Sequence, residues 1–289
     1  MKTKKTYKVA DHLFAVLADE ECFVHMKQYE PFLVEGDDGE PVFTLTAVLD
    51  EPFPEHEVTI EVEQDDDGSQ IHAGATTEGQ NYFEFLLFGQ RAARVLAAPD
   101  YKTATAWLEH HRLFGLNNAL MVLFAMATAT KGTALFHSAV VGRGGRAYMF
   151  LGKSGTGKST HASLWCRYLP GTELVNDDNP VVRVFPDGIM VYGSPWSGKT
   201  PCYRNMRLPL GGIVQLRQAP FNKIRRLNGI EAYAALVPSI SGKRWDRTVA
   251  DGLHETENAL AGRAQVWFLD CLPDEAAAVL CSSTIEHHD

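Results

Sequence analysis

The sequence predicts an α/β chain, α+β overall, with a β-rich N-terminal domain over residues 1–130 and an α/β domain over 131–289. Three observations predict it. The first hundred residues break into short, often alternating apolar runs separated by turn and acidic clusters. A helical pattern follows, up to about residue 130. The remainder then alternates strand-like and helix-like segments, and a glycine-rich loop joins one strand to one helix.

The front runs are "KVADHLFAVL", "PVFTLTAVLD", "VTIEVEQ", "QIHAGATT" and "YFEFLLF", each read as a strand. Asp65, Asp66 and Asp67 before Gly68 read as a solvated hairpin tip, because the calcium-loop spacing that ends in Glu is absent. Trp107 to Thr130 reads as a helix. Its apolar part is shorter than the ~20 residues a membrane span needs, so it is expected to be a buried helix and no membrane partner is expected.

The back domain opens with a hairpin around Gly142–Gly145, whose second strand, Ala147 to Leu151, feeds the loop. "KSTHASLWCRYL" is the next helix, closed by Pro170 and Gly171. Strand "ELVNDD" follows, then hairpin "VVRVFPDGIMVYG" turning at Pro186–Gly188, then strand "GGIVQLRQ". "NKIRRLNG" reads as an exposed strand edge. Two helical stretches, "GIEAYAALVPSI" and Arg244 to Ala261, strand "QVWFLD" and helix "PDEAAAVLCSSTI" complete the order.

Composition narrows the function classes. The 289 residues are 45% hydrophobic and 22% charged, enough to bury a core. A net charge of −9 argues against a general nucleic-acid surface or binding to acidic membranes. Five scattered cysteines without a C-x-x-C pair are expected to be buried reduced thiols. The N-terminus is a poor secretory signal, so a cytoplasmic location is expected.

The chemistry starts at "LGKSGTGKST". Gly152, Gly157, Lys158 and Ser159 fit the phosphate-loop pattern, and Gly155 adds a third glycine. Glycines let backbone N–H groups turn inward around a phosphate, and the following helix N-terminus adds partial positive charge. Gly152, Ser154, Gly155, Thr156, Gly157, Lys158, Ser159 and Thr160 are therefore the nucleotide-binding candidates. Lys158 suits the β- and γ-phosphates, and the Ser159 hydroxyl suits Mg²⁺.

Asp177 and Asp178 end the next apolar strand, and the interval from Lys158 to Asp177 is only 19 residues. That leaves room for one helix and one turn. In ordinary phosphate-loop motors and switches the metal-binding acid comes much later. Two adjacent carboxylates can divide the work: one holds metal, and the other accepts a proton from an attacking hydroxyl. The alternative is that Asp178 only caps the turn before Asn179 and Pro180.

"VYGSPWSGKT" forms a second constellation. Its glycines and proline bend it. Ser194 and Lys199 bring donors, and Trp196 a flat apolar face. Such a loop can position an acceptor, with Lys199 stabilising transferring charge. Arg204 is a weaker candidate for an anionic substrate, with a surface ion pair as the alternative.

"FLGKSGTGKST" followed by "LVNDD" resembles the nucleotide-binding domain shared by HPr serine kinase/phosphorylase and the ATP-dependent phosphoenolpyruvate carboxykinases. His137 in "FHSAVV" matches the histidine that precedes the loop in HPr kinases. The resemblance covers roughly residues 131 to 280. It implies a phosphotransferase using ATP or another nucleoside triphosphate with Mg²⁺, Asp177 as general base, and His137 beside that base. Thr160 stands where HPr kinases carry Glu, as in the carboxykinases. HPr kinases form hexamers, so a homo-oligomer is left open.

The function expected is transfer of a phosphoryl group to a hydroxyl, on a protein or peptide serine or on a small metabolite. Phosphorolysis in reverse is implied by the same resemblance. Two alternatives remain: a nucleotide-binding sensor without catalysis, and carboxykinase-like chemistry on a small keto acid.

Overall fold

The computed structural model describes residues 2–36, 39–66, 68–198 and 200–286. The chain divides into two units, Met1–Thr128 and Ala129–Asp289.

The first unit is built on one mixed sheet. Its strands are β1 (Thr3–Val9), β2 (His12–Ala18), β3 (Leu33–Val34), β4 (Thr44–Leu49), β5 (Val58–Asp66), β6 (Ser69–Thr76), β7 (Asn81–Leu87), β8 (Gln90–Ala97) and β9 (Thr103–Leu108). They lie in the order β3-β1-β2-β4-β9-β8-β7-β6-β5. β4 runs parallel to both β2 and β9, and the other neighbours are antiparallel. Helix α1 (Glu20–Val24) is a short connector, and α2 (Arg112–Thr128) packs on β7, β8 and β9.

Two expectations change here. "KVADHLFAVL" is not one strand but the hairpin of β1 and β2, turning at Ala10 and Asp11 with φ of 48° and 60°. Neither residue is glycine, so the turn leaves little trace in the sequence. The helix expected from Trp107 starts only at Arg112, because Trp107 and Leu108 pair with Arg94 and Ala93 as the end of β9. By length and composition the stretch Arg112–Lys131 is apolar enough to cross a membrane. Here Leu116, Ala119, Leu120, Leu123 and Phe124 are buried. Phe124 meets Phe14 edge-on at 6.3 Å, and Phe14 stacks on Phe43 at 5.1 Å. Aromatic burial of this kind ties helix to sheet. At the β5–β6 hairpin, Asp65 and Asp66 are exposed, and Asp67 lies outside the described residues.

The second unit holds β10 (Thr133–Leu135), β11 (Ser138–Arg143), β12 (Arg146–Leu151), β13 (Glu173–Asp178), β14 (Val181–Val184), β15 (Ile189–Tyr192), β16 (Arg207–Gln218), β17 (Lys223–Leu227) and β18 (Val266–Cys271). Their order is β10-β14-β15-β16-β12-β11-β13, with β18 also on β16 and β17 paired to β18. β12, β16 and β18 are parallel, and the remaining pairs are antiparallel. α3 (Lys158–Tyr168) and α6 (Glu275–Ile285) pack together. Trp165, Ala162, Ala278 and Cys281 close a core with Phe150, Val214, Trp267 and Leu269. α4 (Ile230–Leu236) and α5 (Arg247–Arg263) pack on each other, and α5 also reaches β10 and β14. The three parallel strands end on the side of the sheet where the loop after β12 emerges. Strand ends of this kind are where open α/β sheets place ligands. All five cysteines are free, four buried and Cys166 exposed.

Candidate active site around the glycine loop

β12 is buried over its last five residues, and the chain leaves the sheet at Gly152. Gly155 and Gly157 have φ of 76° and 100°, a left-handed backbone that side chains with a Cβ disfavour. Gly157 is the N-cap of α3. The Thr156 hydroxyl donates to Lys153 O at 2.7 Å and closes the loop on itself. Gln218, at the end of β16, donates Nε2 to Gly155 O at 3.1 Å and Thr156 O at 3.4 Å. The trans peptide then turns Gly157 N–H to the other side. Ser159 and Thr160 are exposed in the first turn of α3, where backbone N–H groups have no partner inside the helix. Ser154 is also exposed. The loop therefore offers donors and the positive end of a helix, the combination that binds phosphate.

Lys158 is 9% exposed. A buried ammonium needs acceptors. Its Nζ has Gly152 O at 2.9 Å, Lys153 O at 3.3 Å and His137 Nε2 at 2.9 Å. Lysine only donates, so His137 Nε2 accepts and the ring proton of a neutral His137 sits on Nδ1. That Nδ1 lies 3.0 Å from Asp178 Oδ1. A continuous relay thus runs from Lys158 through His137 to Asp178.

The sheet register builds this relay. His137 directly precedes β11, and β11 pairs Ser138 with Asp178 and Ala139 with Asp177. His137 was expected beside Asp177. Its ring meets the neighbouring Asp178, where the chain enters β11 beside the end of β13.

The two acids are held differently. Asp178 Oδ2 accepts from Asn179 Nδ2 at 2.7 Å, while its Oδ1 faces His137. Asp177 is 5% exposed, and its Oδ1 has no hydrogen-bond partner among the described residues. Asn176 sits fully buried between them and the next loop. Its Oδ1 accepts from Asp178 N and Asn179 N, both at 2.9 Å. Its Nδ2 reaches Ser194 Oγ and Trp196 O, both at 3.2 Å.

The 193–198 loop packs directly on the acids. Gly198 N donates to Asp177 O at 3.2 Å, and Ser197 bridges Asp178. A Cβ on Gly198 would meet Asp177 O at 2.7 Å and Asp178 Cβ at 3.2 Å. Ser194 was expected to face a substrate. It is instead fully buried, donating to Asn179 O at 2.6 Å and accepting from Trp196 N at 3.1 Å. Trp196 is 1% exposed, so its flat face is spent on the core rather than offered to a ligand. Arg204 pairs with Glu173 at the opposite end of β13. Lys199 lies outside the described residues.

The site brings together Lys158, His137 and Asp178, with Asp177 next to Asp178 in the strand and the 193–198 loop packed on the acids. Among the described residues no group of three His, Cys, Asp or Glu side chains is arranged to hold a metal alone. Mg²⁺ on a nucleotide needs only one or two carboxylates beside phosphates and water. The orphaned, buried Asp177 Oδ1 is a hard oxygen donor of that kind. Asp178 and Ser159 are the further oxygen donors among the candidates.

Asn176, Asn179 and Gln218 were missed in the sequence. A buried amide within "ELVNDDNP" is a usable signal for the two asparagines, since acids at close quarters need something to fix them. Gln218 has no local signal, because only the parallel pairing of β16 with β12 carries it to the loop.

No known family profile and no curated protein matches this chain. Among solved structures, the HPr(Ser) kinase/phosphatase from Coxiella burnetii is similar at 11% identity and a TM-score of 0.32, over 53% of this chain and 89% of that one. The likeness is weak and lies at the level of the fold.

Proposed function

We propose that this chain is a Mg-nucleotide-dependent phosphotransferase that passes a phosphoryl group to a hydroxyl on a peptide or protein serine or on a small metabolite. The observation that carries the proposal is the Lys158–His137–Asp178 relay at the mouth of a glycine loop. It links the loop lysine through one imidazole to Asp178 of the acid pair, which a loop that only binds nucleotide does not require. The phosphate-loop and acid motifs shared with HPr kinases and carboxykinases support the same reading.

In this mechanism the loop N–H groups and Lys158 bind the triphosphate tail. Gly152 O, Lys153 O and His137 hold Lys158, and a phosphate oxygen would take the place of one of them. His137, in polar contact through both nitrogens, fixes where Lys158 and Asp178 sit. Asp177 accepts the proton of the attacking hydroxyl through its uncommitted oxygen. Bound Mg²⁺ would neutralise phosphate charge, with Asp178 and Ser159 as its protein oxygens. ATP or another nucleoside triphosphate is the donor.

Nucleotide binding and turnover by Lys158→Ala test the loop. Wild-type protein is expected to bind Mg·ATP or another Mg-nucleotide and to convert it to the diphosphate. Lys158→Ala is expected to lose at least ~tenfold in affinity and most of the turnover, in keeping with loss of a charge-assisted contact. Unchanged affinity and turnover in the variant would remove the loop from the mechanism. Tight binding by wild type with no transfer to any hydroxyl would favour a sensor instead.

A further inference from the structure

A pocket of about 470 Å³ opens beside the loop, in the size range of small-ligand sites. Thr156, His161, Leu164, Ala219, Leu272 and Pro273 line it. Leu272 is 37% exposed, a large apolar side chain left at the pocket wall. The pocket thus combines apolar side chains with the polar Thr160 and Gln218, and touches the loop at Thr156 and Gly157.

His161 is its buried polar group, 2% exposed. Trp165 Nε1 lies 3.1 Å from His161 Nε2. An indole N–H only donates, so His161 Nε2 accepts and the ring proton sits on Nδ1. His161 Nδ1 has no hydrogen-bond partner among the described residues. Phe150 stands edge-on to the ring at 4.7 Å and helps fix its plane. A buried donor without a partner is costly, and such groups in folded proteins call for an explanation.

We propose that this pocket takes the heteroaromatic base of the nucleotide, and that His161 Nδ1–H donates to a ring nitrogen or carbonyl on its edge. Leu164, Leu272 and Pro273 supply apolar surface for the flat ring. The donor rewards only a ligand that carries an acceptor there, so His161 is a specificity-determining residue and takes no part in phosphoryl transfer. This inference rests on the loop being a nucleotide site.

Isothermal titration of the full chain with Mg·ATP, Mg·GTP and Mg·tripolyphosphate tests it, since tripolyphosphate has no base. Wild type is expected to bind at least one nucleotide more tightly than tripolyphosphate. His161→Leu is expected to lose about tenfold for that nucleotide and nothing for tripolyphosphate. His161→Asn, which keeps a donor near the Nδ1 position, is expected to recover part of the loss. A second measurement needs no variant: the ¹⁵N-labelled His161 Nδ1 resonance should move on adding ATP or GTP and stay put with tripolyphosphate. Equal losses for nucleotide and tripolyphosphate, or nucleotide binding by His161→Leu that matches wild type, would overturn the proposal. Equal wild-type affinity for nucleotides and tripolyphosphate would overturn it while leaving the loop intact. Wild type that binds none of the three would remove the loop reading itself.

Discussion

Lys158 Nζ lies 2.9 Å from His137 Nε2, and the same imidazole presents Nδ1 to Asp178 at 3.0 Å. One ring therefore couples the loop lysine to the acid strand, and its tautomer follows from what lysine can donate. Any change in this ring moves both partners.

His137→Ala is accordingly expected to lower phosphoryl transfer by roughly 10²-fold, the scale of misplaced catalytic groups. Nucleotide affinity should change only a few-fold, because Gly152 O and Lys153 O still orient the lysine. Single-turnover rates and equilibrium titration separate the two effects. A large loss of affinity with an unchanged transfer rate would assign His137 to binding.

Gly198→Ala places a methyl 2.7 Å from Asp177 O. The obstacle is backbone and cannot swing away, so overpacking of about 1–3 kcal/mol is expected. The acids should also shift, and turnover should fall more than stability alone explains. Thermal unfolding and turnover under conditions where the variant is folded check this. Wild-type values of both would show that the 193–198 loop has slack.

Burial alone lowers the His161 pKa from 6.5 to about 4. The folded state thus takes up its proton later than the unfolded state as pH falls. The contribution of this residue is fully present above pH 6.5 and is lost progressively between pH 6.5 and 4. Between pH 7.5 and 5 the loss is on the order of 2 kcal/mol. Urea unfolding at the two pH values should show a smaller drop for His161→Leu than for wild type. Equal drops would mean that the ring is hydrated in the folded state.

The short-range parts of this architecture were legible in the sequence. The loop, its strand and its helix announce themselves because glycine spacing, lysine and the switch to helical pattern are all local. The hairpin β14–β15 was legible through Pro186–Gly188, whose turn residues state their role. The β1–β2 turn was not, since Ala10 and Asp11 adopt left-handed backbone without being glycine. The last two residues of β9, Trp107 and Leu108, read as the start of the helix because the apolar pattern runs on from them into α2. What depends on distant pairing was hidden. Trp196 looks like an exposed aromatic in a loop until Asn176 and Ser194 draw that loop inward. Arg204 looks like an anion site until β13 supplies Glu173. Which of two adjacent aspartates His137 meets is invisible until β11 and β13 pair side by side.

Asp177→Asn isolates the proton-acceptor role of Asp177. It keeps the shape of the side chain and removes its ability to accept a proton. Mg-nucleotide binding is expected within a few-fold of wild type, and phosphoryl transfer reduced by about 10²–10⁴-fold, the range of a general base. Undiminished transfer by Asp177→Asn, with nucleotide still bound, would contradict that role.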